Sequence, residues 1–314
     1  MGFHPAPAPL RFAGHRFAGS TDSAFARARG NHLHRPPENT LDSLLLALHP
    51  PLAADWVETD VIRTADDQLV LCHATDFTQH VEPDRLPPGA HTLDELTAQQ
   101  ALTLPIGAAG AARLMPLPTL LQTLLKERPG DGLVVNLELK DVQGTMRPRR
   151  LPPLATLVLR DIAAAQFPLS RVRFSSFSLT ALANLTSQEP AAACAMLFDL
   201  PPLHGAPAKR LFADAAETYL PFTPEQIRAV LEILPNLRAL HPEISTLTEE
   251  SVRLAAHYNL DIATWVSQEK SPAADAEAAG AIANAITLCR NHAVSLTFIT
   301  DHIVDVRHYA ASCA

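Results

Sequence analysis

The chain has 314 residues, 47% of them hydrophobic and 18% charged, enough apolar material for one large core or two ordinary ones. Twenty-five basic residues stand against thirty-three acidic ones, a formal charge of −8, so the basic footprint of a general nucleic-acid binder is missing. No stretch approaches 18 uninterrupted apolar residues, which argues against a membrane span. The four cysteines (Cys72, Cys194, Cys289, Cys313) include no CxxC pair, against a disulfide framework or a zinc–thiolate site. The opening Met1-Gly2-Phe3-His4-Pro5 lacks the layout of a secretory signal, so a cytoplasmic protein is expected.

In chain order, β-branched or aromatic-rich runs bounded by Pro, Asp, Asn or Ser predict strands over Leu10–Arg16, Asp55–Val61, Leu69–His73 and Leu133–Lys140. Five more follow at Val172–Ser176, Cys194–Phe198, Arg238–His241, Asp261–Val266 and Leu296–Thr300. Helical patterns separate most of them. Thr40–Leu48 starts at an Asn39/Thr40 cap and stops before Pro50-Pro51. Thr223-Pro224-Glu225-Gln226 is a capping box with proline at the first helical position, and Thr248–Tyr258 and Ala276–Cys289 behave alike.

Strand–helix alternation over this length points to an α/β fold with a parallel sheet, of the size of a TIM (β/α)8 barrel. Nine strands are one too many. The connection Ile62–Gln68 is too short for a parallel crossover, so Leu69–His73 is expected to fold back antiparallel as a rim element, leaving eight. Residues 77–116 are less regular and are expected to form an insertion or lid after the second barrel strand. No linker or repeat divides the chain, so residues 1–314 are expected to form one catalytic barrel.

Alternate residues of a strand share a face. Glu58 and Asp60 therefore face one way, with Val57, Thr59 and Val61 facing the helices; Asn136, Glu138 and Lys140 share the corresponding face of their strand. Three inward carboxylates repel one another and lose hydration. Either a hard divalent cation, Mg²⁺ or Ca²⁺, or salt bridges to Lys140 and the arginines must answer them. His15 and His73 end their strands, where barrel enzymes place chemistry. His32 and His34 share a face of a loop segment, where solvated side chains are the ordinary case, and His49, His257 and His308 suit surface or packing positions.

Taken in order, Pro37-Glu38-Asn39-Thr40, Glu58-Thr59-Asp60-Val61, the strand ending in His73 and Asn136-Leu137-Glu138-Leu139-Lys140 resemble the glycerophosphodiester phosphodiesterases. Phe174-Ser175-Ser176-Phe177, Thr264-Trp265-Val266 and Ile299-Thr300-Asp301 extend the resemblance over nearly the whole chain. It implies a phosphatidylinositol-phospholipase-like TIM barrel that hydrolyses small glycerophosphodiesters to glycerol 3-phosphate and an alcohol, using one divalent cation. Glu58, Asp60 and Glu138 would be the metal ligands, His15 and His73 the catalytic pair, Arg16 and Lys140 the phosphate contacts, and Trp265 a pocket aromatic.

Two positions depart from the pattern. The first-histidine motif aligns either on Gly14-His15-Arg16-Phe17, which follows an apolar strand, or on Ala28-Arg29-Gly30, which has no histidine; the former is preferred. His73-Ala74 stands where His-Asp is usual. A related lipid phosphodiesterase, of lysophospholipase D type, and a catalytically impaired barrel that only binds phosphodiesters are the alternative readings.

Overall fold

Eight parallel strands close on themselves: β1 (Leu10–Gly14), β2 (Trp56–Arg63), β5 (Val134–Leu139), β6 (Val172–Ser176), β7 (Ala193–Phe198), β8 (Leu237–Pro242), β9 (Asp261–Trp265) and β10 (Leu296–Thr300). The ring is completed by pairing of β1 with both β10 and β2. This is a TIM barrel. The structure, a computed structural model, describes residues 9–19, 36–73, 81, 85–106, 112–130, 132–140, 152–198, 220–265 and 271–313. His32, His34 and the Ala28–Gly30 alternative lie outside these residues.

The expected rim element is present. β3 (Leu69–Leu71) runs antiparallel to β2, with Ile62 opposite Val70. A strand not expected from sequence, β4 (Met115–Pro116), pairs antiparallel with β3. Two residues carry no readable period, so only their partner defines them as a strand. The intervening segment contains a helix at Ala98–Thr103 and a 3₁₀ turn at Leu93–Glu95. Its Val81, Leu86, Leu93, Leu96, Ile106 and Leu114 pack on Ile62, Val70 and Cys72 as a separate apolar cluster.

Helices cover the outside of the ring, and the capping residues act as their side chains dictate. Thr40, Thr223 and Thr248 accept hydrogen bonds from Ser43, Gln226 and Ser251 at the starts of helices Leu41–Leu48, Pro224–Ile233 and Glu249–His257. Asp275 does the same for Ala276–Asn291. Outward residues such as Val57, Leu137, Phe174, Met196, Leu240, Ile262 and Phe298 form the main core against these helices.

Inside, alternate strands supply successive layers of side chains, as in barrels of this type. The registers place Ala13, Asn136, Ala195 and Ala263 in one layer and Glu58, Ser175, His241 and Ile299 in the next toward the C-terminal mouth. Beneath them Arg173 stacks over Trp56, 4.5 Å from the ring centroid, and donates to Asp261 at 3.1 Å. That pair plugs the N-terminal end.

Candidate active site

The site gathers at the C-terminal mouth of β1, β2, β5 and β10. At the end of β1 the chain turns so sharply that a Cβ on Gly14 would lie 1.7 Å from the Phe17 carbonyl oxygen. Only glycine fits. Arg16 and Phe17 then adopt positive φ (45° and 76°), a costly conformation for such side chains that the surroundings must enforce. Glu58 does so with its side chain and backbone: Oε2 accepts from the Arg16 backbone N–H at 2.8 Å, and its carbonyl from Phe17 N–H at 3.0 Å.

This turn presents His15, whose Nδ1 lies 2.8 Å from Asp301 Oδ1. Asp301 follows β10 and is 4% exposed. With an ionised acceptor there, Nδ1 carries the proton and the neutral ring keeps Nε2 as its basic atom. Burial pulls the His15 pKa down, but Asp301 outweighs it and the net shift is upward. His73, just past β3, is pushed well below its ordinary value by burial and by the charges of Arg16 and Lys140.

On β2 and β5, Asp60 is in register with Glu138. One oxygen from each of Glu58, Asp60 and Glu138 lies within 4.8 Å of the others. Both sequence-level answers to this charge are present together. Lys140 Nζ sits 3.2 Å from Asp60 Oδ1 and pairs with Glu138 as well. The Arg16 guanidinium approaches Asp60 at 3.7 Å. The charge is still not balanced evenly: burial and the neighbouring Asp60 push Glu58 up to about 8 against the pull of His15. Burial would raise Asp60 too, but Lys140, His73 and Arg16 hold it well below the usual carboxylate range. Three oxygen donors converging from two strands, one of them starved of positive charge, suit a hard divalent cation.

The turn before the first helix organises the rest. Glu38 takes Arg16 Nη1 through both oxygens, at 2.9 and 3.1 Å. Asn39, at φ 57°, donates from Nδ2 to Asp60 Oδ2 at 3.3 Å and accepts from Thr59 Oγ1 at 2.7 Å. Arg16 is thus clamped among carboxylates, an arrangement its planar fork suits.

Every residue expected at the site from sequence therefore ends at the mouth, but Trp265 is set apart from the charged cluster. It ends β9, packs partly on Ala13, Trp56, Ala263 and Ile299, and its buried Nε1 has no hydrogen-bond partner among the described residues. Three features escaped the sequence reading. Asp301 was visible only as part of a motif, although Thr297, Ile299 and Asp301 share a face by alternation. Glu38 and Asn39 gave no sign of the groups they hold. His241 sits in a strand too short to show its inward face; it is fully buried with neither ring nitrogen hydrogen-bonded, and burial and Arg173 keep it neutral. An unmet buried donor or acceptor costs about 1–3 kcal/mol, so this position needs a reason.

A closed α/β barrel with a carboxylate cluster and a histidine–aspartate pair at its C-terminal mouth defines a class of hydrolytic barrel enzymes. Residues 28–303 match the glycerophosphoryl diester phosphodiesterase family, and the chain belongs to that family of phosphoric diester hydrolases. The matched span contains Glu58, Asp60, His73, Glu138, Lys140 and Trp265; it begins after His15 and Arg16. No curated protein matches the chain at a significant level. A glycerophosphodiester phosphodiesterase from Agrobacterium tumefaciens shares its fold at 16% identity and TM-score 0.61, over 97% of this chain and 100% of that one. A Silicibacter pomeroyi protein assigned as a glycerophosphoryl diester phosphodiesterase aligns at 20% identity and TM-score 0.69, over 98% and 95%. An Oleispira antarctica phosphodiesterase, solved with its product sn-glycerol-3-phosphate, aligns at 17% identity and TM-score 0.62, over 97% of each chain. At these identities the likeness is one of fold.

Proposed function

We propose that this hydrolase cleaves small, water-soluble glycerophosphodiesters to glycerol 3-phosphate and an alcohol, with His15 and His73 as acid and base and one divalent cation, Mg²⁺ or Ca²⁺, on Glu58, Asp60 and Glu138. The observation that carries the reading is the carboxylate triad beside the His15–Asp301 pair at one barrel mouth. Held by Glu58, Asp60 and Glu138, a divalent cation would supply a Lewis acid for the phosphoryl charge. Lys140 and Arg16 add positive charge beside it, and Asp301 fixes the tautomer of His15. One histidine takes the proton of the glycerol hydroxyl next to the phosphate as that oxygen attacks phosphorus; the other protonates the departing alcohol oxygen. Water then opens the resulting cyclic phosphate with the histidine roles exchanged. Trp265 lines the substrate pocket.

The described part of 77–116, residues 81, 85–106 and 112–116, would belong to a cover at the mouth of a single catalytic barrel. A water-soluble substrate is favoured because most described apolar side chains of this segment are turned into their own cluster; the exposed large apolar residues among the described ones, Leu10, Leu41, Ile233, Tyr258 and Val304, lie elsewhere. Among the described residues no helix is long and apolar enough to cross a membrane. Four free thiols suit the reducing cytoplasm, where we place the enzyme.

The test is glycerol 3-phosphate release from glycerophosphocholine and glycerophosphoethanolamine with Mg²⁺, Ca²⁺ or EDTA, beside His15→Ala and Glu58→Ala. Metal-dependent release lost in both variants is expected. Release that survives His15→Ala moves the catalytic histidine elsewhere, and no release under any condition overturns the reading.

A further inference from the structure

We propose that His241 is a substrate-recognition residue whose imidazole binds the terminal hydroxyl of the substrate's glycerol moiety, on the wall of the barrel opposite Glu58. The inference rests on the diesterase reading above and adds the residue that selects the glycerol end.

Position comes first. β8 lies four strands from β2 around the eight-stranded ring, so His241 and Glu58 oppose each other in the same interior layer. The layer beneath is mostly alanine: Ala13, Ala195 and Ala263, with Asn136. Asn136 donates to Ser175 Oγ at 2.9 Å. Among the described residues no side chain bonds to the His241 ring, whose two nitrogens are buried without a partner.

Chemistry then narrows the ligand. A neutral imidazole offers one donor and one acceptor, and a hydroxyl is the group that answers both. A phosphate is ill-suited, because Lys140 and Arg16 lie on the far side of the mouth. Protonation is opposed by nearby Arg173, so the ring meets its ligand uncharged. On the same wall Glu243 is 3% exposed and uses one oxygen, Oε2, for Ser245; Trp265 in the adjoining strand keeps Nε1 unbonded. Among its described residues this wall therefore offers hydrogen-bonding atoms and no cation, opposite a wall whose carboxylates and cations already engage each other. The 2-hydroxyl of the glycerol is used in the attack on phosphorus, which leaves the terminal one.

The experiment compares glycerophosphocholine with its 1-deoxyglycerol counterpart, which keeps the attacking 2-hydroxyl and lacks the terminal one, on wild-type protein, His241→Leu and His241→Asn. A pocket built around a hydroxyl rejects the analogue lacking it by a large factor. Wild type is expected to prefer the glycerol substrate by on the order of 10²-fold or more in kcat/KM. His241→Leu should lose that preference by slowing the glycerol substrate while leaving the deoxy substrate nearly unchanged, and His241→Asn should recover part of it. Equal slowing of both substrates, or a wild type that treats them alike, overturns the proposal.

Product binding gives a readout that needs neither variant nor turnover: calorimetry of wild type with glycerol 3-phosphate and with propane-1,2-diol 1-phosphate, in the presence of Mg²⁺. Preference for the first is expected, and equal affinity overturns the role of His241. A protein that discriminates in binding yet hydrolyses no diester overturns the catalytic reading alone. One that hydrolyses both substrates without discrimination overturns the His241 inference alone.

Discussion

The two halves of the barrel mouth are built from different materials. The side made by β1, β2, β5 and β10 holds Glu58, Asp60, Glu138, Lys140, Arg16 and the His15–Asp301 pair, each tied to another by a bond of defined geometry. The side made by β7, β8 and β9 holds Leu197, His241, Glu243 and Trp265 and no cation among its described residues. Dense pairing fixes the charged groups on one side; on the proposed reading the phosphoryl centre reacts there, with the glycerol end against the other wall. On that reading the contrast separates chemistry from selection within one ring of strands.

The largest effect expected of any substitution follows from the charged half. Asp60→Asn removes a carboxylate that Lys140, Arg16 and Asn39 all address, and kcat should fall by on the order of 10³-fold or more as a Lewis acid worth several kcal/mol is misplaced. Steady-state release assays with an unchanged circular dichroism spectrum check this; activity near wild type would remove Asp60 from the metal site. Next is Asp301→Asn, which keeps shape but no longer dictates the proton position on His15. A loss of about 10²–10⁴-fold in kcat, with KM little altered, is expected from the contribution of a positioned acid–base group.

A smaller effect concerns support rather than chemistry. Asn39→Ala frees Asp60 Oδ2 and Thr59 Oγ1 from their shared partner. Outer partners of this kind are worth about 10–100-fold in metal affinity, so the Mg²⁺ concentration for half-maximal rate should rise while the rate at saturating metal stays near wild type. A rise in the half-maximal concentration below about 3-fold would make Asn39 a folding residue only.

The smallest effect is on the cation-free wall and shows in stability against pH. His241 is held well below its ordinary pKa of 6.5 by burial and Arg173, and His73 likewise by burial, Arg16 and Lys140. At these two positions the folded protein binds fewer protons than the unfolded chain below about pH 6.5, so their share of the stability is full above that pH and is lost as pH falls toward the folded values, while the raised Glu58 and His15 act in the opposite sense. Between pH 7 and pH 5 the wild type should lose melting temperature relative to His241→Asn, which no longer carries the His241 share. An unchanged slope in that variant would mean that His73 and other groups carry the dependence.

Much of this arrangement was legible in the residues. Alternation placed Glu58, Asp60, Glu138 and Lys140 inside the barrel, and the short Ile62–Gln68 connection revealed the antiparallel rim strand before any coordinates. Local signals sufficed there because each depends on neighbours in sequence. His241 and Asp301 depend on which face of a short strand looks inward, and that is set by partners far away in the chain. Asn39 depends on a left-handed backbone position that a proline-rich approach does not announce. The two-residue strand Met115–Pro116 exists only because β3 pairs with it.

The His15–Asp301 contact spans 286 positions of sequence and joins the first strand of the ring to the last. The barrel must therefore close before its histidine acquires a partner. Formation of this pair marks the completion of the fold, so a chain that stops short of β10, or that folds all but its final seam, has Glu58, Asp60 and Glu138 and still lacks the aspartate that orients His15. Appearance of diesterase activity during refolding would time the joining of the two ends.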